Sequence, residues 1–158
     1  MLSEQAKRKM DAELAKYPAD RRQSAVMSAL RIAQDEHDWL SREVMDAVAA
    51  YLGMPAIAVY EVATFYEMYN LKPMGRHKMT VCTNLPCALS GATEFCETLK
   101  KRLGIDFNEV TADGEFGLKE GQCFGACGDA PVLLVNNHQM HSFMDEEKLE
   151  ALLKELKS

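Results

Sequence analysis

The stretch QCFGACGDAP, residues 122–131, sets Cys123 and Cys127 in a loop of small and apolar residues. Upstream, VCTNLPCALSG, residues 81–91, does something similar with Cys82 and Cys87. The pattern is Cys-x4-Cys, then 35 residues, then Cys-x3-Cys. A chain that turns back over so few residues can place two thiolates about 3.5–4 Å apart, as tetrahedral coordination at a metal–sulfur bond near 2.3 Å requires. Two such pairs make either one mononuclear four-thiolate site or one two-iron cluster with a pair on each iron. Gly121, Gly125 and Gly128 let the backbone approach closely, and loops of this kind can aim several N–H groups at sulfur.

Other uses of four cysteines fit less well. The chain has 158 residues, a net charge of −6, 47% hydrophobic and 27% charged residues, the profile of an ordinary globular protein with a core of its own. The acidic balance argues against a nucleic-acid binder. The apolar runs are too short to span a bilayer, and MLSEQAKRKMDAEL carries charges where a signal peptide needs an apolar core, so a cytoplasmic protein is expected. In a reducing compartment, paired cysteines are more often metal-binding or catalytic than disulfide-linked, and an odd count of five leaves one thiol unpaired. A structural four-cysteine zinc site is the main rival, although its usual gaps are two residues long. A thioredoxin-type redox pair needs Cys-x-x-Cys, which is absent, and a Rieske site needs two histidines beside the cysteines. His37 and His77 read as solvated, and His138 and His141 as structural or surface residues. Cys96 lies with Ala92, Leu99 and Leu103 at helical spacing and reads as core.

The sequence divides by pattern. Residues 1–72 read as a small helical bundle. Ser3 caps the first helix, Pro18 breaks it, Asp20 caps a second over residues 21–37, and Ser41 caps a third that stops at Gly53. Pro55 opens a fourth, AIAVYEVATFYEMYN, with Ile57, Tyr60, Thr64 and Met68 on one face. Phe65, Tyr66 and Tyr69 read as packing of this helix, with a partner surface as the other use. Pro73 and Gly75 mark a boundary, and residues 73–158 read as an α/β domain. There KMTVC is a strand delivering Cys82, residues 88–104 a helix ending at Gly104, FNEVTA and EFGLKEGQC extended pieces, VLLVNNHQMHSF a hairpin turning at Asn136-Asn137, and DEEKLEALLKELK a closing helix. Charge is spread evenly, with 9 basic and 11 acidic side chains in residues 1–75 and 9 and 13 in the rest.

VYEVATFYEMYNLKPMGRHKMTVCTNLPCALSGA, CFGACGDAPVLLVNN and, nearer the start, YPADRRQSAVMSALRIAQDEHDWLS resemble the small thioredoxin-like [2Fe-2S] subunit of the NADH-dehydrogenase module of bacterial NADH-quinone oxidoreductase (respiratory complex I), known by the letter E. The resemblance implies an α/β thioredoxin-like [2Fe-2S] ferredoxin domain after the helical bundle. It makes Cys82, Cys87, Cys123 and Cys127 the ligands of one [2Fe-2S] cluster and leaves Cys96 out. It implies an electron-transfer subunit of a quinone-reducing translocase, trading single electrons with FMN on a flavoprotein partner that binds NADH, beside further iron–sulfur subunits. Its place would be the cytoplasmic, peripheral arm of a membrane-bound complex, without direct membrane insertion or nucleic acid. The same fold serves NAD-linked hydrogenases and formate dehydrogenases, and a soluble ferredoxin acting alone is a further alternative. No GxGxxG fingerprint for a nucleotide occurs in the sequence, which places NADH oxidation on the partner. Asp129, two residues past Cys127, is a candidate for lowering the cluster potential, since a negative charge disfavours an added electron; a solvated loop acid is the other reading.

Overall fold

A computed structural model describes residues 1–157. The protein forms two compact units, Met1–Pro73 and a second that starts at Met74. No helix among the described residues is long and apolar enough to cross a membrane.

The first unit is helical: α1 (Glu4–Leu14), α2 (Val26–His37), α3 (Arg42–Leu52) and α4 (Ala56–Phe65). The caps at Ser3 and Ser41 form as expected, their hydroxyls accepting from the Ala6 and Val44 amides at 3.0 and 3.3 Å. Gly53, at φ +69°, ends α3 in the left-handed conformation that glycine takes without steric cost. The cap at Asp20 does not form. Residues Ala19–Ala25 make a 3-10 stretch without a side-chain cap, and α2 starts only at Val26. Met10, Leu30, Ala33, Leu40, Val48, Leu52, Val59 and Tyr69 lie at the centre of this unit.

The expected face of α4 is also corrected. Ile57 is 63% exposed, Met68 lies beyond the end of the helix, and the buried positions are Val59 and Ala63. Nearly every position along AIAVYEVATF is apolar, so its periodicity carries little contrast. Polar contacts decide instead: the Tyr60 hydroxyl donates to Asp46, and the Thr64 hydroxyl donates back to the Tyr60 carbonyl at 2.8 Å. The aromatic trio divides. Tyr69 is buried, its hydroxyl donating to the Met27 carbonyl at 2.9 Å, whereas Phe65 and Tyr66 stay exposed.

The second unit is built on a four-stranded sheet of order β2-β1-β3-β4, with β1 (His77–Cys82), β2 (Phe116–Gly121), β3 (Leu133–Val135) and β4 (Gln139–His141). β1 and β2 run parallel from His77↔Phe116 to Cys82↔Gly121, and β3 pairs antiparallel with β1. The turn between β3 and β4 places Asn136 and Asn137 at φ +50° and +61°, as the hairpin reading requires. Between α4 and the last helix the unit also carries α5 (Leu85–Cys87) and α6 (Thr93–Leu103), and it closes with α7 (Glu146–Leu156). Met79, Val81, Phe116, Leu118, Leu133 and Val135 pack with Phe95 and Leu99 of α6 and with Leu149 and Leu152 of α7. Each residue of β1 after His77 is buried, as a strand central in its sheet demands.

Three expectations change here. The helix expected over residues 88–104 is broken: α5 makes one short turn, Ser90 and Gly91 leave helical geometry with Gly91 at φ +91°, and α6 begins at Thr93. FNEVTA forms no strand of its own: half of it is turn and Val110 makes an isolated bridge to Gly117, although the Asn108 and Thr111 amides donate to the Leu118 and Phe116 carbonyls of β2 at 2.7 and 2.8 Å. His77 is half-buried rather than solvated. Among the described residues its ring nitrogens have no hydrogen-bond partner, and its ring lies 5.7 Å from that of Phe116. Gly117 has a packing reason of its own, because an added Cβ would stand 1.9 Å from the Met74 carbonyl oxygen.

Candidate metal centre

The parallel register of β1 and β2 creates the site. Cys82 is the last residue of β1 and pairs with Gly121, the last residue of β2, so the two cysteine loops leave the same end of the sheet. The Thr83 amide donates to the Gly121 carbonyl at 3.4 Å, and the Cys82 amide to the Val132 carbonyl at 3.3 Å. The first loop then closes at once into α5, which carries Cys87. The second runs two residues to Cys123 and enters a 3-10 turn at Cys127.

The thiols come as two pairs. The Sγ atoms of Cys123 and Cys127 are 3.9 Å apart. Burial first, then the neighbouring Cys82, Cys127 and Cys123, push the Cys87 thiol up to about 12. The Cys127 thiol is raised too, chiefly by its hydrogen bond with Cys123. The β1–β2 register brings the four cysteines to the same end of the sheet. Among the described residues no three His, Cys, Asp or Glu side chains form a group around a single ion position. The backbone amide of Gly125 donates to Cys123 Sγ at 3.3 Å.

Environment separates the pairs. Cys82 and Cys87 are each 1% exposed and pack with Ala92 and Val132, while Cys123 is exposed and Cys127 half-buried. Leu85 and Leu89, at 71% and 80% exposure, flank Cys87 on the outside. Cys96 is buried in the core between α6 and the sheet, as its spacing predicts, and burial pushes its thiol up to about 11.

Phe124 is the residue that sequence reasoning misses. It packs on the Cys82–Cys87 cluster, and its ring folds back over the end of β2. A Cβ at Gly121 would stand 2.6 Å from Phe124 Cζ and 2.7 Å from Thr80 Cγ2, so this glycine makes room for the ring. The signal is a single large side chain amid small ones. Gly125, at φ +76°, needs its glycine for backbone reasons, whereas Gly128 has open space and no positive φ.

The sequence model of the thioredoxin-like [2Fe-2S] ferredoxin family matches residues 10–157. The protein belongs to that family. Its similarity to the E subunit of NADH-quinone oxidoreductase from Rickettsia bellii is 41% identity over 146 residues, covering 92% of this sequence and 87% of the relative. For the E 2 subunit of NADH-quinone oxidoreductase from Rhizobium meliloti the figures are 42% over 149 residues, 94% and 87%. A mitochondrial NADH dehydrogenase [ubiquinone] flavoprotein 2 from Dictyostelium discoideum is 42% identical over 130 residues, or 82% of this sequence and 53% of that protein. The resemblance to the E subunit read from the sequence thus holds over nearly the whole length. The fold is shared with a solved NAD+-reducing [NiFe]-hydrogenase, at a TM-score of 0.68 and 19% identity, over 81% of this ferredoxin-family protein and 22% of the hydrogenase chain.

Proposed function

We propose that the protein is the cluster-bearing electron-transfer subunit of the NADH-dehydrogenase module of an NADH-quinone oxidoreductase, and that Cys82, Cys87, Cys123 and Cys127 hold one [2Fe-2S] cluster. The observation that carries this reading is the meeting of two thiol pairs at one end of a parallel strand pair, with the Cys123 and Cys127 sulfurs 3.9 Å apart. That separation fits two thiolates on one tetrahedral metal, and two pairs fit two irons. The names of the relatives support the setting.

When bound, the cluster supplies a one-electron donor and acceptor, exchanging electrons with FMN on a flavoprotein partner. The protein's own residues set the conditions. β1 and α5 hold Cys82 and Cys87 rigidly and away from water. The Gly125 amide directs an N–H at the Cys123 sulfur, a contact of the kind that tunes the potential of a metal bound there. Phe124 shields the end of the sheet beside the site. NADH, FMN and the further iron–sulfur subunits belong to the partners, on the cytoplasmic, peripheral arm of the complex.

The test is the visible absorption and EPR spectrum of anaerobically purified protein, before and after dithionite. A red-brown protein whose spin-half signal appears on reduction is the expected result. A colourless protein with stoichiometric zinc overturns the proposal.

A further inference from the structure

We infer that Cys123 and Cys127 form a redox-modification site in the protein that has not yet received its cluster: an oxidised low-molecular-weight thiol such as glutathione disulfide converts them to an intramolecular disulfide, while Cys82 and Cys87 stay reduced. The consequence for cluster insertion rests on the function proposed above; the modification itself does not.

Three observations carry this. First, the two sulfurs stand 3.9 Å apart and must close to about 2.05 Å to bond, a movement that needs room in the backbone between them. The room is there: a Cβ built on Gly125, midway between the two cysteines, meets nothing within 4 Å. Second, access is one-sided. Cys123 is exposed and Cys127 half-buried, whereas Cys82 and Cys87 are each 1% exposed and Cys96 is 5% exposed. Thiol–disulfide exchange proceeds by direct attack on a disulfide sulfur, so a thiol that no small peptide can reach does not react. Third, the attacking and resolving sulfurs are already neighbours.

The chemistry balances without a further reagent. The Cys123 thiolate attacks one sulfur of the small disulfide and forms a mixed disulfide, releasing one small thiolate. Cys127, having lost its proton, then attacks the Cys123 sulfur and releases the second small thiol. Two protein thiols are oxidised by two electrons, and one disulfide is reduced to two thiols. A Cys123–Cys127 disulfide removes one of the two thiolate pairs and so closes the site to metal until it is reduced.

The test uses the full-length protein, stripped of metal with a chelator, reduced with a phosphine and freed of it. After exposure to oxidised glutathione the thiols are alkylated under denaturing conditions and the protein is digested with trypsin. Cys123 and Cys127 fall on one tryptic peptide, Glu120–Lys148, where the disulfide is read directly by mass. The expected result is that this peptide is oxidised while Cys82, Cys87 and Cys96 are alkylated. In Cys127→Ser, Cys123 should instead accumulate as the glutathione mixed disulfide. Anaerobic reconstitution with ferrous iron and sulfide should give at least tenfold less visible chromophore in the oxidised protein than in the reduced one, and phosphine should restore it. Absence of the Cys123–Cys127 link, equal oxidation of Cys82 and Cys87, or full cluster uptake by the oxidised protein each overturns the inference. A fully reduced protein that takes up no cluster overturns the proposed function instead, and leaves the peptide map to decide the disulfide.

Discussion

The two cysteine loops offer the same donor atoms at the end of the same sheet, yet they are built on opposite principles. The Cys82–Cys87 loop is short, folded into α5 and dry. Its sulfurs belong to a small buried apolar cluster. The Cys123–Cys127 loop is open, glycine-bearing and wet, and the Gly125 amide reaches its first sulfur from the backbone. In the first loop the fold holds the thiols. In the second no helix or strand holds Cys123, and the loop around it is exposed. A site assembled from a rigid half and an adaptable half can admit metal and still end with defined geometry.

The sharpest way to break this comparison is to remove one sulfur from each half. Alanine at Cys87 or at Cys123 should abolish the visible chromophore of the purified protein in both cases. The metal-free variants should then differ. Cys87→Ala leaves a cavity in a buried cluster and should cost about 1–2 kcal/mol in urea denaturation, whereas Cys123→Ala at an exposed loop should stay within about 0.5 kcal/mol. Equal costs would mean that the two halves are not mechanically different. Gly121→Ala probes the hinge between strand and open loop. Its Cβ would press on Phe124 and Thr80, and the metal-free protein should lose about 2 kcal/mol. Gly125→Ala meets no atom and should cost only about 1 kcal/mol of left-handed strain. A Gly121 variant as stable as the Gly125 one would remove the role given to the Phe124 ring.

Cys96 isolates burial from pairing, because it is buried among apolar residues without belonging to either pair. Its thiol is raised from 9.0 to about 11, first by burial. A raised folded-state value means that the unfolded state ionises first. The stability this thiol contributes is therefore whole below about pH 9 and is lost as pH climbs towards 11. Urea midpoints of the metal-free protein should fall over that window, and Cys96→Ala should flatten the fall. Unchanged slopes in the variant would show that the thiol titrates alike in both states.

The same contrast explains what can be read from the sequence. Cysteine spacing is local, so the pairs are legible, and so is the strand that delivers Cys82. The caps at Ser3 and Ser41 and the Asn136-Asn137 turn depend on near neighbours and are legible for that reason. Register is not local. That Cys82 stands opposite Gly121, and so brings two distant loops together, follows from β1–β2 pairing that no single segment encodes. The face of α4 is misread because a nearly uniform apolar helix has no period to read, and the break at Gly91 is missed because one glycine in a helical pattern is usually tolerated. Phe124 passes for an apolar filler. Its meaning emerges only once Gly121 is seen to make space for it.

The smallest expected effect concerns the wet half alone. Asp129 lies two residues past Cys127, in the same 3-10 turn, and its carbonyl accepts from the Phe143 amide at 2.7 Å, which fixes the backbone that carries the carboxylate. A fixed negative charge near the site opposes the arrival of an electron, but this side chain is exposed and water screens much of the field. Asp129→Asn should therefore raise the midpoint potential by only tens of millivolts, a size set by Coulomb's law at high effective dielectric. The shift should shrink as salt is added in a redox titration followed by EPR. Dry surroundings would make it large and insensitive to salt. A small, salt-sensitive shift is the signature of a half-site open to solvent, and no upward shift at any ionic strength would remove Asp129 from the account of the potential.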